Sequence, residues 1–121
     1  MKLSKSEEEL MNVLWEQEKA FMKDLLEAYP EPKPANTTIA TMLKRMTDKG
    51  FVGYDLLGNS RQYYALVEKS AYFSKHVNGL IKNFFNDSAS QFASFFTKET
   101  QLTQKELKEL KKIIDDQIKD Q

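Results

Sequence analysis

One stretch limits the choice of fold more than any other: Asn36 to Gly58, NTTIATMLKRMTDKGFVGYDLLG. Ile39, Met42, Leu43 and Met46 fall at i, i+3, i+4 and i+7, a single apolar stripe on a helix of 3.6 residues per turn. At about 100° per residue the opposite side carries Thr37, Ala40, Thr41 and Lys44, flanked by Arg45 and Asp48. Asn36 is expected to cap the N-terminus of this helix, and Gly50 to end it in the left-handed conformation. Phe51 to Leu56 and Arg61 to Val67 are apolar, aromatic and β-branched enough for two short strands, with Leu57-Gly58-Asn59-Ser60 as the turn.

Around this element the chain is predominantly helical. Ser4 and Ser6 each stand three residues before a glutamate, and Leu10, Met11, Leu14 and Trp15 follow at helical spacing, so a capped amphipathic helix opens the chain. Phe21, Met22, Leu25, Leu26 and Tyr29 outline a short second helix that Pro30, Pro32 and Pro34 stop. The order to Val67 is thus helix, helix, helix, strand, strand. The acidic run Glu7-Glu8-Glu9 reads as a helix-dipole partner and a solvated face. Tyr63 and Tyr64 are adjacent on a strand and point to opposite faces. Trp15, Tyr29 and the methionines read as core, and His76 as a surface or interface residue.

Beyond Val67, Phe73, Val77, Leu80, Ile81 and Phe84 form the stripe of a fourth helix. A second aromatic helix follows with Phe92, Phe95 and Phe96. Thr103-Gln104-Lys105-Glu106 is a capping box opening a last helix with Leu107, Leu110, Ile113, Ile114 and Ile118 on one side. Three short helices of about 50 residues cannot bury that many apolar side chains alone. A second copy of the same helices solves the problem, so Phe73, Val77, Leu80, Ile81, Phe84, Leu107, Leu110 and Ile114 are expected to form a homodimer interface. The expected fold is mainly α with a small β-wing: a winged helix-turn-helix domain over residues 1–67 and a three-helix dimerisation domain over 68–121.

Charge supports a specific use for the stripe-and-strands element. The chain carries 18 basic and 18 acidic residues. From Lys33 to Arg61, however, five basic residues stand against two acidic ones, a local +3, while the first 32 residues hold four lysines against eight acids, a local −4. The positive surplus coincides with the hydroxyl-bearing helix face, where a phosphate backbone would need it. Thr37, Thr38 and Thr41 can offer hydroxyls and methyl groups to base edges in a major groove, and Lys44, Arg45 and Arg61 suit phosphate contacts. Threonine is a poor helix former, so three within five exposed positions argue for a role. Solvated side chains and ordinary surface charge are the bland alternative. A winged-helix module that binds protein instead of DNA is the rival from another class, favoured by the zero net charge.

Other activities lack residues. With no cysteine, thiolate catalysis, disulfides and cysteine-based metal sites are excluded, and one histidine leaves few metal ligands. No nucleophile–base pair or phosphate loop can be assembled, so neither an enzyme nor a cofactor is expected. No run approaches the ~20 apolar residues of a membrane span, and the N-terminus lacks a signal-peptide core. A cytoplasmic location without membrane insertion is expected.

Three segments carry a resemblance: LSKSEEELMNVLWE at the start, TTIATMLKRMTDKGFV in the middle and TKETQLTQKELKEL near the end. They are similar to the BlaI/MecI/CopY repressors, the penicillinase and methicillin-resistance repressors and their relatives. Leu14-Trp15 matches the close of the family's first helix, and the run from Thr38 to Gly50 its threonine, arginine and Lys-Gly motif. The resemblance implies a winged-helix domain and a small helical domain, joined as a homodimer that represses from a palindromic DNA operator. It further implies release when a membrane metalloprotease linked to a sensor cuts the C-terminal domain, by position at the Phe95-Phe96 bond. Phe95 stands where the best-known members have asparagine. Thr37 and Ala40 stand where some relatives carry basic residues. The C-terminal cysteine pattern of the copper-responsive branch is missing, which excludes copper sensing.

Overall fold

The computed structural model describes residues 2–121 as two compact units, one ending at His76 and the other running from Val77 to Gln121. In the first unit, helix α1 (Lys5–Gln17) leads into strand β1 (Lys19–Phe21), helix α2 (Met22–Ala28), helix α3 (Asn36–Asp48) and the hairpin β2 (Val52–Leu57) and β3 (Ser60–Ala65). Helix α4 (Lys69–Phe84) begins here and crosses into the second unit, which also holds α5 (Ala89–Glu99) and α6 (Gln104–Lys119).

Ser4 starts α1 through a capping box: its hydroxyl accepts the Glu7 N–H at 3.3 Å, and the Glu7 carboxylate accepts the Ser4 N–H at 2.9 Å. Ser6 lies inside the helix and plays no such part. The chain then turns at Glu18, in the left-handed half of backbone space at φ 67°. Lys19 to Phe21 pair antiparallel with Tyr64 to Gln62, so the sheet has three strands in the order β1-β3-β2. The sequence reading missed β1 and assigned Phe21 to the second helix. Three residues are too few for a periodic signal, and only pairing with a distant strand defines them. In place of a hydroxyl cap, Asp24 accepts the Phe21 N–H at the start of α2 (2.9 Å).

Asn36 does not cap α3. The chain stays extended through Ala35, whose carbonyl accepts the N–H groups of Thr38 and Ile39, and the helix therefore opens one residue early with Asn36 already in its first turn. Ala35, in the cap position, makes no side-chain hydrogen bond to this end. The other end is as expected: Gly50 adopts φ 84°, with Gly50 N–H bonded to the Thr47 carbonyl and Phe51 N–H to that of Met46, a Schellman motif. The hairpin closes with Gly58 (φ 65°) as the first of two loop residues, where II′ turns place glycine.

Ile39, Met42, Leu43 and Met46 all face the core, as the stripe requires, beside Leu10, Met11, Leu14, Leu25, Phe51, Val52 and Tyr63. Fully burying each such aliphatic side chain stabilises the fold by about 1.5–3 kcal/mol. Tyr63 is buried, whereas neighbouring Tyr64 is partly exposed. The Trp15 indole N–H donates to the Val67 carbonyl (2.8 Å), and its ring lies 6.1 Å from Tyr72 and 5.9 Å from Phe73. Tyr72 is buried and accepts the Leu3 N–H at 3.0 Å, so the start of α4 belongs to the first unit's core. His76 is half-buried with its ring 5.3 Å from that of Tyr72.

The second unit differs in kind. Among the described residues, no side chain from Val77 to Gln121 is buried. An aromatic cluster joins Phe85 to Phe92 (5.5 Å) and Phe95 (5.3 Å), and Phe92 stacks on Phe96 at 6.2 Å. Thr103 and Glu106 form the expected capping box of α6. Phe84, Ile113, Ile114 and Ile118 are all more than half exposed.

Candidate nucleic-acid interface

The buried stripe of α3 fixes what its other side presents. Thr37, Thr38, Thr41, Lys44 and Arg45 are all exposed, and Thr37, Thr38, Thr41 and Arg45 line one shallow depression with Ser6 and Met42. The Thr41 hydroxyl donates to the Thr37 carbonyl one turn earlier (2.8 Å). Its proton is engaged, which leaves the hydroxyl oxygen free to accept from a donor on a base edge. Lys44 reaches Asp48 at 3.2 Å, but both side chains are largely solvent-exposed and such a pair yields readily to a stronger anion.

Arg61 stands on the wing. Its guanidinium carbon lies 4.4 Å from the centre of the Tyr54 ring, a cation–π contact, and Tyr54 packs 5.8 Å from buried Tyr63. A groove of about 700 Å³ separates this wing from the helices, lined by Lys23, Asn36, Asn59, Ser60 and Arg61 over an apolar floor that includes Phe21 and Tyr63. Two cations and three neutral hydrogen-bonding side chains on facing walls suit a phosphate-bearing strand. Lys23, Asn36, Asn59 and Ser60 were not among the expected DNA contacts, Asn36 being read only as a helix cap and Asn59 and Ser60 only as turn residues, because no linear spacing connects α2 to the wing. The signal was β1, which draws the start of α2 towards β3.

Glu7 is the main correction to the sequence reading. It is no solvated helix residue: its side chain is 3% exposed and its carboxylate receives Lys49 Nζ at 2.8 Å, with Arg45 Nη1 at 3.8 Å. The Lys49 ammonium, backed by Ser4, holds the Glu7 carboxyl below its ordinary range against the opposing effect of burial. The i, i+3 relation to Ser4 announced the cap; the pairing with α3, 42 residues on, had no local signature.

The remaining assigned residues lie elsewhere. Phe73 sits with the first unit's aromatic residues, while Val77, Leu80, Ile81 and Phe84 continue α4 and Leu107, Leu110 and Ile114 line α6. Phe95 and Phe96 lie within α5, each more than one-third exposed. Among the described residues no cluster of His, Asp or Glu could hold a metal ion, and no helix is long and apolar enough to cross a membrane.

Three helices followed by a hairpin, with a buried-stripe third helix and Arg61 presented on the wing, define a winged helix-turn-helix protein. The penicillinase repressor family model matches residues 3–116. The chain is 28% identical to the methicillin resistance regulatory protein MecI of Staphylococcus aureus strain N315 over 113 residues, 93% of this chain and 92% of that protein. It is 27% identical to MecI of Mammaliicoccus sciuri over 93% of this chain and 92% of that one, and 24% identical to the penicillinase repressor of Bacillus licheniformis over 94% and 90%. The chain belongs to the penicillinase repressor family. It is a DNA-binding transcriptional repressor, not an enzyme.

Proposed function

We propose that the protein represses transcription as a homodimer on a palindromic operator, residues 1–67 together with the start of α4 that packs on them forming the DNA-binding domain, and the remaining helical residues to 121 the dimerisation domain. The observation that carries this reading is the division of labour on α3: the apolar stripe is buried, and the exposed face pairs three threonines with Lys44 and Arg45. Thr37, Thr38 and Thr41 meet base edges in the major groove. Lys44 and Arg45 hold the flanking phosphates, and Arg61 with Lys23 takes the neighbouring backbone in the groove beside the wing. Threonine contacts are weakly selective, so half-site spacing in the dimer supplies much of the discrimination.

Support for the dimer comes from the second unit, where no side chain is buried among the described residues while Phe84, Ile113, Ile114 and Ile118 meet water. Exposed apolar side chains of that size on α4 and α6 call for a partner surface, and an identical one closes by two-fold symmetry.

Release follows from cleavage at Phe95-Phe96 by a membrane metalloprotease. That bond lies inside α5 and separates Phe92 and Phe95 from Phe96, so cutting it would divide the aromatic cluster. Gel-shift titration with DNA from upstream of the protein's own gene tests the core of the proposal. Thr41→Ala is expected to weaken operator binding by ~1–3 kcal/mol, as for a lost base contact. Unchanged affinity would remove Thr41 from the interface.

A further inference from the structure

We infer that Glu7, on a helix outside the DNA-reading element, is a positioning residue for operator binding, acting through Arg45; the inference rests on the proposed role of α3. Glu7 divides its two oxygens between two tasks. Oε1 accepts the Ser4 N–H, which fixes the carboxylate to the start of α1. Oε2 meets Lys49 Nζ at 2.8 Å and Arg45 Nη1 at 3.8 Å, both on the last turn and cap of α3. A carboxylate anchored by a helix cap, 3% exposed and held ionised, is a rigid charge with little rotameric freedom. The Arg45 side chain is half exposed. Its guanidinium offers five N–H donors, so one edge can lean on Glu7 while the others face outward to a phosphate. Lys49 takes the shorter contact and ties the end of α3 to α1. The pair of contacts sets the height and aim of Arg45 before DNA arrives, which reduces the ordering required on binding.

Coulomb's law alone makes the opposite forecast. Glu7 is a negative charge close beneath a surface that meets a polyanion, so neutralising it should tighten binding and steepen its salt dependence. Positioning forecasts that neutralising it weakens binding and flattens the salt dependence. The sign of the effect decides.

Operator binding by the full chain is measured by fluorescence anisotropy across a salt series, with a thermal melt confirming that each variant is folded. Glu7→Gln keeps an oxygen for the Ser4 N–H and loses the charge. It should raise Kd roughly two- to tenfold, the lower part of the range of coupling between contacting residues, and lower the salt slope. Glu7→Asp keeps the charge but retracts it by one methylene, and it should also weaken binding. In an Arg45→Ala background neither substitution should matter further. Equal or tighter binding by Glu7→Gln, or Glu7→Asp indistinguishable from the unsubstituted protein, would overturn the inference. If Glu7→Gln fails to fold, the Glu7→Asp result decides alone. Absence of operator binding by the unsubstituted protein would sink the DNA-reading role itself, a separate outcome.

Discussion

Replacing Tyr54 with leucine removes the ring beneath Arg61 without touching any charge. The guanidinium carbon lies 4.4 Å from the ring centre and the ring is itself held 5.8 Å from buried Tyr63, so the platform is fixed to the core. An exposed cation–π contact is worth ~0.5–1 kcal/mol. Arginine carries about 2 kcal/mol of rotamer entropy, part of which the ring already removes in the free protein. Losing both effects should cost ~0.5–1.5 kcal/mol of operator binding, a Kd about 2- to 12-fold higher. Tyr54→Phe keeps the π-face and should stay within about twofold of the unsubstituted protein. Arg61→Ala should remove one phosphate contact and lower the salt slope by about 1. In a double-mutant cycle by anisotropy, Tyr54→Leu should then have no further effect in the Arg61→Ala background. Additive losses would refute the reasoning, because they would mean that Tyr54 acts on binding independently of Arg61.

Leu43→Ala, at a side chain 1% exposed, should destabilise the first unit by ~2–5 kcal/mol and lower its melting temperature by at least about 8 °C, whereas Lys44→Ala on the opposite face should stay within about 0.5 kcal/mol. Because the Glu7 carboxyl is held below its ordinary 4.5 in the folded chain, its stabilising effect is complete above that value and is lost as pH falls through the lower folded value. Denaturant titrations at pH 7 and at about pH 3 should therefore show a smaller acid loss in Glu7→Gln, and an equal loss would contradict the assignment. Ile114→Asp, at an exposed α6 position, should shift the protein from twice the chain mass to the chain mass in light scattering while leaving the first unit's melt unchanged. An unchanged dimer would place the interface elsewhere.

Local patterns made most of the helices readable. The stripe at Ile39, Met42, Leu43 and Met46 gave the helix, its buried face and, by elimination, the exposed threonines; Gly50 marked its end and Gly58 the hairpin loop. The capping boxes at Ser4 and Thr103 worked for the same reason, since each is complete within four residues. What escaped was decided across the chain. Strand β1 exists because β3 is there to pair with it, and the groove containing Lys23 and Asn36 exists because β1 does. Glu7 looked like one of three solvated acids until α3 brought Lys49 and Arg45 over it. Asn36 had the right chemistry for a cap and the wrong position, because the helix began one residue sooner.

The central claim is that the threonine face of α3 reads DNA, with Arg61 on the wing holding the neighbouring backbone. Its most direct test is the affinity of the full chain for a duplex from upstream of its own gene, set against a scrambled duplex of equal length over a salt series. The account predicts a Kd of about 10⁻⁸ M or tighter for the upstream duplex at physiological salt, at least about 10³-fold weaker binding to the scrambled one, and affinity that falls steeply as salt rises. Equal affinity for the two duplexes would contradict it.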